Sequence, residues 1–151
     1  MNYRGHVVSK NGIQVNRDKT EVVKSFPTPT NPKQVRSILG LCNYYRRFIP
    51  GYSKIVYPLN QLLHMARKFK RTNECTSAFD TLKEALTPSP ILALPETSKE
   101  FILSTDASAS AIGFVFSQKD NDNKEHDMAY VGRSLRGAEF KWDVSERECL
   151  A

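Results

Sequence analysis

Beyond a short β-prone start, the spacing of apolar residues changes near Pro95, and that change divides the chain. Before it, apolar residues recur every three or four positions, as they do on helices that bury one face. Val35, Ile38, Leu39, Cys42, Tyr45, Phe48 and Ile49 form the strongest such stripe, with Asn31 placed to cap it and Pro32 suited to its first turn. Lys33, Arg36, Arg46 and Arg47 fall largely off the stripe, and Pro50-Gly51 ends it. Ile55, Val56, Leu59, Leu62 and Leu63 make a second segment, with Pro58 limiting its first turns. Cys75, Ala78, Phe79, Leu82, Ala85 and Leu86 predict a helix over about 73–86, stopped by Pro88 and Pro90. A short helix over about 18–25 would bury Val22 and Val23.

After Pro95 the pattern is that of strands. Residues 101–106 and 111–116 read as two strands joined by a small-residue turn. The polar stretch 119–125 is a second turn, and Met128-Ala129-Tyr130-Val131 is a third strand, which together make an antiparallel meander. Two β-prone runs near the N-terminus, Val7-Val8-Ser9 and Ile13-Gln14-Val15, flank Asn11-Gly12, a pair suited to a type I′ hairpin turn. Ile91-Leu92-Ala93-Leu94 predicts a short strand ended by Pro95. Ser145-x-x-Glu148 has the spacing of a capping box that opens another helix. That helix has barely one turn before Ala151, so the expectation is a piece of a longer domain. The fold class is α+β: a basic helical region, then a meander and the start of a helix.

Charge divides at a similar place. Residues 1–72 hold 14 Lys and Arg against 2 acids, a net of +12; residues 73–151 hold 8 against 14, a net of −6. The first part can cover phosphates, and the second repels them unless its carboxylates hold metal ions. Arg36, Arg46, Arg47, Arg67, Lys68, Lys70 and Arg71, interleaved with Tyr44, Tyr45 and Phe69, have the look of phosphate contacts. A solvated helix face is the plainer reading of any such run, and the concentration of charge favours nucleic acid.

Other classes drop out. No apolar run approaches the roughly 18 residues that span a bilayer. The start, Met1-Asn2-Tyr3-Arg4-Gly5-His6, has no apolar signal-peptide core. Cys42, Cys75 and Cys149 are odd in number and far apart, which argues for reduced thiols in a cytosolic or nuclear protein, not for disulfides or zinc. His6, His64 and His126 are equally scattered.

Two acids stand out. Asp106 follows an apolar β-run and precedes a turn. It reads either as a metal ligand for phosphodiester cleavage or as a turn-initiating Asp bonded to its own backbone, and pattern alone favours the turn. Glu148 reads either as the partner of Ser145 in a cap or as a carboxylate aimed across the sheet at Asp106, and pattern alone favours the cap. Glu146 is a weaker candidate.

The order of certain residues resembles a known family. Gly5-His6-Val7-Val8-Ser9 and Gly12-Ile13 come first, then Val35-Arg36-Ser37-Ile38-Leu39-Gly40-Leu41-Cys42-Asn43-Tyr44-Tyr45-Arg46-Arg47-Phe48-Ile49. Pro58-Leu59, Leu62-Leu63, Ala78-Phe79, Leu82-Lys83 and Leu86 follow. Phe101-Ile102-Leu103, Thr105-Asp106-Ala107-Ser108, Gly113, Gln118, Arg133, Leu135 and Glu148-Cys149-Leu150-Ala151 complete the set. Together they resemble the junction of reverse transcriptase and ribonuclease H in the Pol polyprotein of gypsy-type LTR retrotransposons, over nearly the whole chain.

The resemblance implies three parts: residues 1–16 as the end of the palm with a primer-gripping hairpin, 17–95 as thumb and connection, and 96–151 as the beginning of a ribonuclease H domain. It implies a nucleic-acid surface of Gly5, His6, Lys33, Arg36, Asn43, Tyr44, Arg46, Arg47, Arg67, Lys68, Lys70 and Arg71. It makes Asp106 and Glu148 catalytic carboxylates that bind Mg²⁺, reversing the order of readings that pattern gave. The implied partners are template–primer or RNA–DNA hybrid and the remainder of the Pol polyprotein. The sequence also departs from the family. It has no Tyr-x-Asp-Asp motif and lacks the later nuclease carboxylates; Arg4 stands for a usual apolar residue, Arg71 for a Trp and Gly132 for a Ser. The expectation is therefore a part of an RNA-directed DNA polymerase with ribonuclease H that is not catalytic alone, or else a non-catalytic nucleic-acid-binding remnant of a retroelement.

Overall fold

The computed structural model describes residues 1–64, 69, 72–87 and 90–151. Three short strands, β1 (Asn2–Tyr3), β2 (His6–Ser9) and β3 (Gly12–Val15), form an antiparallel sheet in that order. The left-handed pair that a type I′ turn demands is Arg4 (φ +46°) and Gly5 (φ +80°), joining to β2 a strand, β1, that the sequence reading lacked. The expected turn at Asn11-Gly12 is corrected: Ser9 pairs with Gly12, so Lys10 and Asn11 form the loop, and neither has positive φ. Gly12 does (φ +127°), for a different reason. A Cβ there would lie 2.1 Å from the carbonyl oxygen of Leu92, a backbone atom that cannot move aside cheaply.

Leu92 is the hinge of the architecture. The strand expected over 91–94 is reduced to one antiparallel bridge, in which Ile13 and Leu92 exchange two backbone hydrogen bonds of 2.8 Å. The next residue turns to the other sheet, where the Ala93 N–H donates to the Asp127 carbonyl at 2.8 Å.

Between these points lie four helices. Asn16 caps α1 (Arg17–Lys24), accepting from the Asp18 N–H at 2.9 Å. Val23 is buried, but Val22 is 48% exposed, because neighbours on a helix point about 100° apart. Asn31 caps α2 (Pro32–Tyr44), accepting from the Gln34 N–H at 3.0 Å, with Pro32 in the first turn as expected. The α-helix stops at Tyr44, and a 3-10 turn (Arg46–Phe48) carries the apolar stripe onward, so Tyr45, Phe48 and Ile49 are buried all the same. In α3 (Tyr52–His64) Pro58 sits inside the helix and not in its first turns, because the helix begins three residues before Ile55. Thr72 caps α4 (Asn73–Leu86) through the Cys75 N–H. Of the two prolines expected to stop α4, Pro88 lies outside the described residues. One core gathers Ile38, Phe48, Ile49, Phe79, Leu82 and Leu86 with Leu92.

The second sheet is the expected meander, β4 (Ile102–Ala107), β5 (Ala111–Lys119) and β6 (Glu125–Ser134), in the order β4-β5-β6. β6 packs on α3 and the 3-10 turn, and α5 (Val144–Leu150) packs on β4. As an outer strand among the described residues, β4 leaves Leu103 60% exposed. No described helix is long and apolar enough to cross a membrane.

Replacing Gly12 with Ala should break the bridge to Leu92, since the backbone conformation and the carbonyl contact both oppose a Cβ. The expected loss is about 2–3 kcal/mol, from strain at positive φ together with disturbed backbone hydrogen bonds. Urea unfolding of the two proteins checks it; a variant as stable as the parent would show that the bridge is dispensable.

Candidate nucleic-acid interface and nuclease-like carboxylates

The first sheet docks on the end of α2 through its turn. Tyr44 Oη donates to the Arg4 carbonyl at 2.8 Å, and Tyr45 Oη donates to the Gly5 carbonyl at 3.5 Å. A Cβ on Gly5 would fall 2.5 Å from Tyr45 Oη, so this docking requires glycine as much as the positive φ does. The His6 ring lies 5.4–5.6 Å from the rings of Tyr44, Tyr45 and Phe48. An aromatic cluster thus fixes the hairpin tip against the helix.

Five of the expected contact residues therefore meet in one place: Gly5, His6, Asn43, Tyr44 and Arg46. Arg46 Nη1 donates to Asn43 Oδ1 at 3.4 Å, while Tyr44 remains 53% exposed. Lys33 and Arg36 lie exposed along α2. Arg47 is turned to other work, since its Nη2 donates to the Met128 carbonyl at 3.3 Å and holds the 3-10 turn to β6. Arg67, Lys68, Lys70 and Arg71 lie outside the described residues.

Two residues join this surface that sequence reasoning did not single out for it. Arg4 sits at the tip of the turn with its guanidinium 5.5 Å from the Tyr3 ring centre. Gly40 lies exposed in mid-α2, and a Cβ there would meet nothing within 4 Å. Packing does not require that glycine, yet it costs the helix about 1 kcal/mol relative to Ala. A glycine without an internal reason on a basic face was the available signal. The helix α4 presents Glu74, Asp80 and Glu84 to solvent.

The carboxylates form a separate place. Asp106 lies in β4 opposite Gly113 of β5, which lies opposite Gly132 of β6. Glu148 is not part of a cap. Asp143 is the cap residue: its Oδ1 accepts from the Glu146 N–H at 2.8 Å, and Glu146 Oε2 accepts from the Asp143 N–H at 2.9 Å. The box expected at Ser145 and Glu148 therefore starts two residues earlier, which gives Glu146 the structural task and leaves Glu148 exposed on the helix. Arg147 ties this helix down, with Nη1 donating to the Ser108 carbonyl at 3.3 Å and Nε to the Asp143 carbonyl at 3.1 Å. Asp106 and Glu148 thus stand on two elements in contact.

Their oxygens suit a hard cation in kind. In number they fall short: among the described residues no group of three or more His, Cys, Asp or Glu side chains gathers to hold a metal ion.

Other acids are engaged structurally. Glu139 receives Arg133 at 2.7 and 2.9 Å and the Arg136 N–H at 2.7 Å, and the Arg133 contact foremost holds its carboxyl below the usual range. Asp120 is likewise lowered, first by His126 at 2.7 Å.

The profile of the RNase H-like domain found in reverse transcriptase matches residues 72–151. The Pol polyprotein from transposon 297 of Drosophila melanogaster is 38% identical over 151 residues, which are 99% of this chain and 14% of that protein. The Tf2-3 polyprotein of Schizosaccharomyces pombe is 35% identical over 147 residues, 97% of this chain and 11% of that protein. The chain thus spans about a seventh of such relatives or less. Among solved structures, foamy viral protease-reverse transcriptase dRH in complex with dsDNA superposes with a TM-score of 0.84 at 22% identity, over 99% of this chain and 26% of that one. The same viral enzyme in complex with RNA/DNA hybrid gives 0.81 at 22% identity, over 99% of this chain and 20% of that one. These two establish the likeness of fold.

Replacing Asp143 with Ala should cost about 1 kcal/mol and fray α5, whereas Ser145→Ala should cost close to nothing. Hydrogen exchange at the α5 amides distinguishes the two, and equal effects would restore the Ser145 cap.

Proposed function

The chain belongs to the family of RNase H-like domains found in reverse transcriptases, and from that premise we propose that it works as the duplex-gripping part of a gypsy-type retrotransposon Pol polyprotein. In this reading residues 1–16 end the polymerase palm, 17–95 form thumb and connection, and 96–151 begin the nuclease domain. The whole polyprotein would be an RNA-directed DNA polymerase with ribonuclease H activity. The observation that carries the proposal is the docking of the Arg4–Gly5 turn on α2, which joins hairpin tip and helix into one basic surface.

The chemistry of that surface is electrostatic. Lys33, Arg36 and Arg46 would neutralise phosphates and release their condensed counterions, which is the main drive of sequence-independent duplex binding. Gly40 would let the sugar–phosphate backbone approach the helix axis between them. Tyr44, pinned through its hydroxyl, would present a rigid aromatic edge. The acidic face of α4 would keep the strand on the α2 side. Arg67, Lys68, Lys70 and Arg71 would extend the same binding.

Asp106 and Glu148 would be this chain's share of the carboxylates that hold Mg²⁺ in the complete enzyme, where the ions activate water for hybrid cleavage. The chain alone should be inactive as a nuclease, and without a Tyr-x-Asp-Asp motif it cannot polymerise. The absence of a third metal-binding side chain among the described residues favours a second reading, a non-catalytic nucleic-acid-binding remnant. Its partners would then be duplexes without the rest of Pol.

Fluorescence anisotropy with a labelled RNA–DNA hybrid tests the surface. Affinity should fall steeply with salt, and Arg36→Gln and Arg46→Gln should each lower the log–log slope by about 1. Gly40→Leu should raise helix stability by about 1 kcal/mol while weakening hybrid binding. A flat salt response would end this reading.

Cleavage is the complementary assay. The purified chain should leave the hybrid intact in Mg²⁺, and cleavage that disappears in Asp106→Asn would instead make the two carboxylates sufficient.

A further inference from the structure

A cavity of about 50 Å³ lies between the first turn of α3 and the second sheet. Its polar walls are Ser53 and Lys54 of α3 with Asp106 of β4 and Ser108 just beyond it, and Gly113 and Gly132 form its floor. The floor is open because it has no side chains. A Cβ on Gly132 would lie 2.7 Å from the Ile112 carbonyl oxygen and 3.4 Å from Ser53 Oγ, so that hydroxyl points at the space the glycine leaves.

The α3 end of the cavity lacks what helix ends normally carry. Gly51 precedes the helix and has no side chain to cap it, and no acid lies in the first turn. The N–H groups of Lys54 and Ile55 reach the Gly51 carbonyl at 3.0 and 3.1 Å, and that of Tyr52 reaches the Ile49 carbonyl at 3.3 Å. The Ser53 N–H has no acceptor among the described residues. The Ser53 side chain is independent of this and points the same way: the residue is only 8% exposed, and its hydroxyl has no hydrogen-bond partner among the described residues. Facing the cavity, that hydroxyl is free to donate to a group placed there. An uncapped helix N-terminus, a free hydroxyl lining the cavity and a lysine in one turn together suit an oxyanion.

We propose that Ser53 and Lys54 bind a phosphate group in this cavity, beside Asp106. If the chain handles nucleic acid as proposed above, on which this inference rests, the group is a phosphodiester of the strand passing the nuclease-like carboxylates. Helix α3 would then supply phosphate donors to a site whose acids lie on β4 and α5. Asp106 opposes the bound charge, so the cavity favours the singly charged diester over doubly charged free phosphate.

Amide-resolved NMR titration of the chain with inorganic phosphate, against sodium chloride at matched ionic strength, tests it. The Ser53, Lys54 and Gly132 amides should shift saturably. Ser53→Ala, which removes one small hydroxyl, should weaken binding about tenfold, the scale of a hydrogen bond to a charged group. Asp106→Asn should tighten it about fivefold, the scale of one like charge removed near a surface. Phosphate shifts that are absent at these amides, or unchanged in Ser53→Ala at an unaltered melting temperature, would overturn the proposal. A hybrid titration separates the two readings. Phosphate binding at Ser53 without hybrid binding leaves the cavity as a free-phosphate site and ends the duplex reading. Hybrid binding that leaves these amides unmoved, and is indifferent to Ser53→Ala, ends the cavity proposal and keeps the duplex reading.

Discussion

Everything else in this fold is arranged around one backbone contact, the bridge between Ile13 and Leu92. Leu92 is wholly buried, and its two hydrogen bonds to Ile13 close the first sheet on the helical core. One residue later Ala93 bonds to Asp127 in β6, so a two-residue segment joins the hairpin, the core and the nuclease-like sheet. Backbone bonds of this kind are worth only about 1 kcal/mol each, yet a buried peptide group left unpaired costs more than the bond contributed. The contact matters chiefly through what its loss would expose.

Charge is laid over this frame asymmetrically. Exposed cations follow α2 and the Arg4–Gly5 turn, while α4 turns Glu74, Asp80 and Glu84 outward. Among the described residues the ion pairs serve local ends: Lys99 with Glu96 in a turn, His126 with Asp120 beside the β5–β6 turn, and Arg133 with Glu139 at the end of β6. Isolated surface pairs contribute little to stability, whereas a sided field steers a polyanion to one face.

The helices were legible in the sequence because burial imposes their period. The stripe from Val35 to Ile49 is buried throughout, even where the backbone leaves the α-helix after Tyr44, since the pattern reports burial and not hydrogen bonding. The 73–86 helix falls where its stripe places it. Failures came where a local rule met a tertiary demand. Asn11-Gly12 has turn composition, but Gly12 is spent on close approach to Leu92, while the type I′ turn uses Arg4, a residue that rarely takes positive φ. Ser145 and Asp143 both suit a cap, and spacing alone does not choose between them. The gathering of His6, Tyr44 and Tyr45 was beyond reach, because it depends on two elements forty residues apart meeting at one ring cluster.

The position of β4 at the sheet edge bears on motion. Among the described strands β5 is hydrogen-bonded on both sides and β4 and β6 on one, so local opening should cost less free energy in the strand that carries Asp106 than in β5. Loosely held backbone places a side chain over a range of positions on the timescale of hydrogen exchange. What narrows that range here is the clasp of Arg147 on the Ser108 carbonyl, just past the strand's end. The acid most suggestive of chemistry thus takes its order from a neighbouring helix as well as from its own sheet.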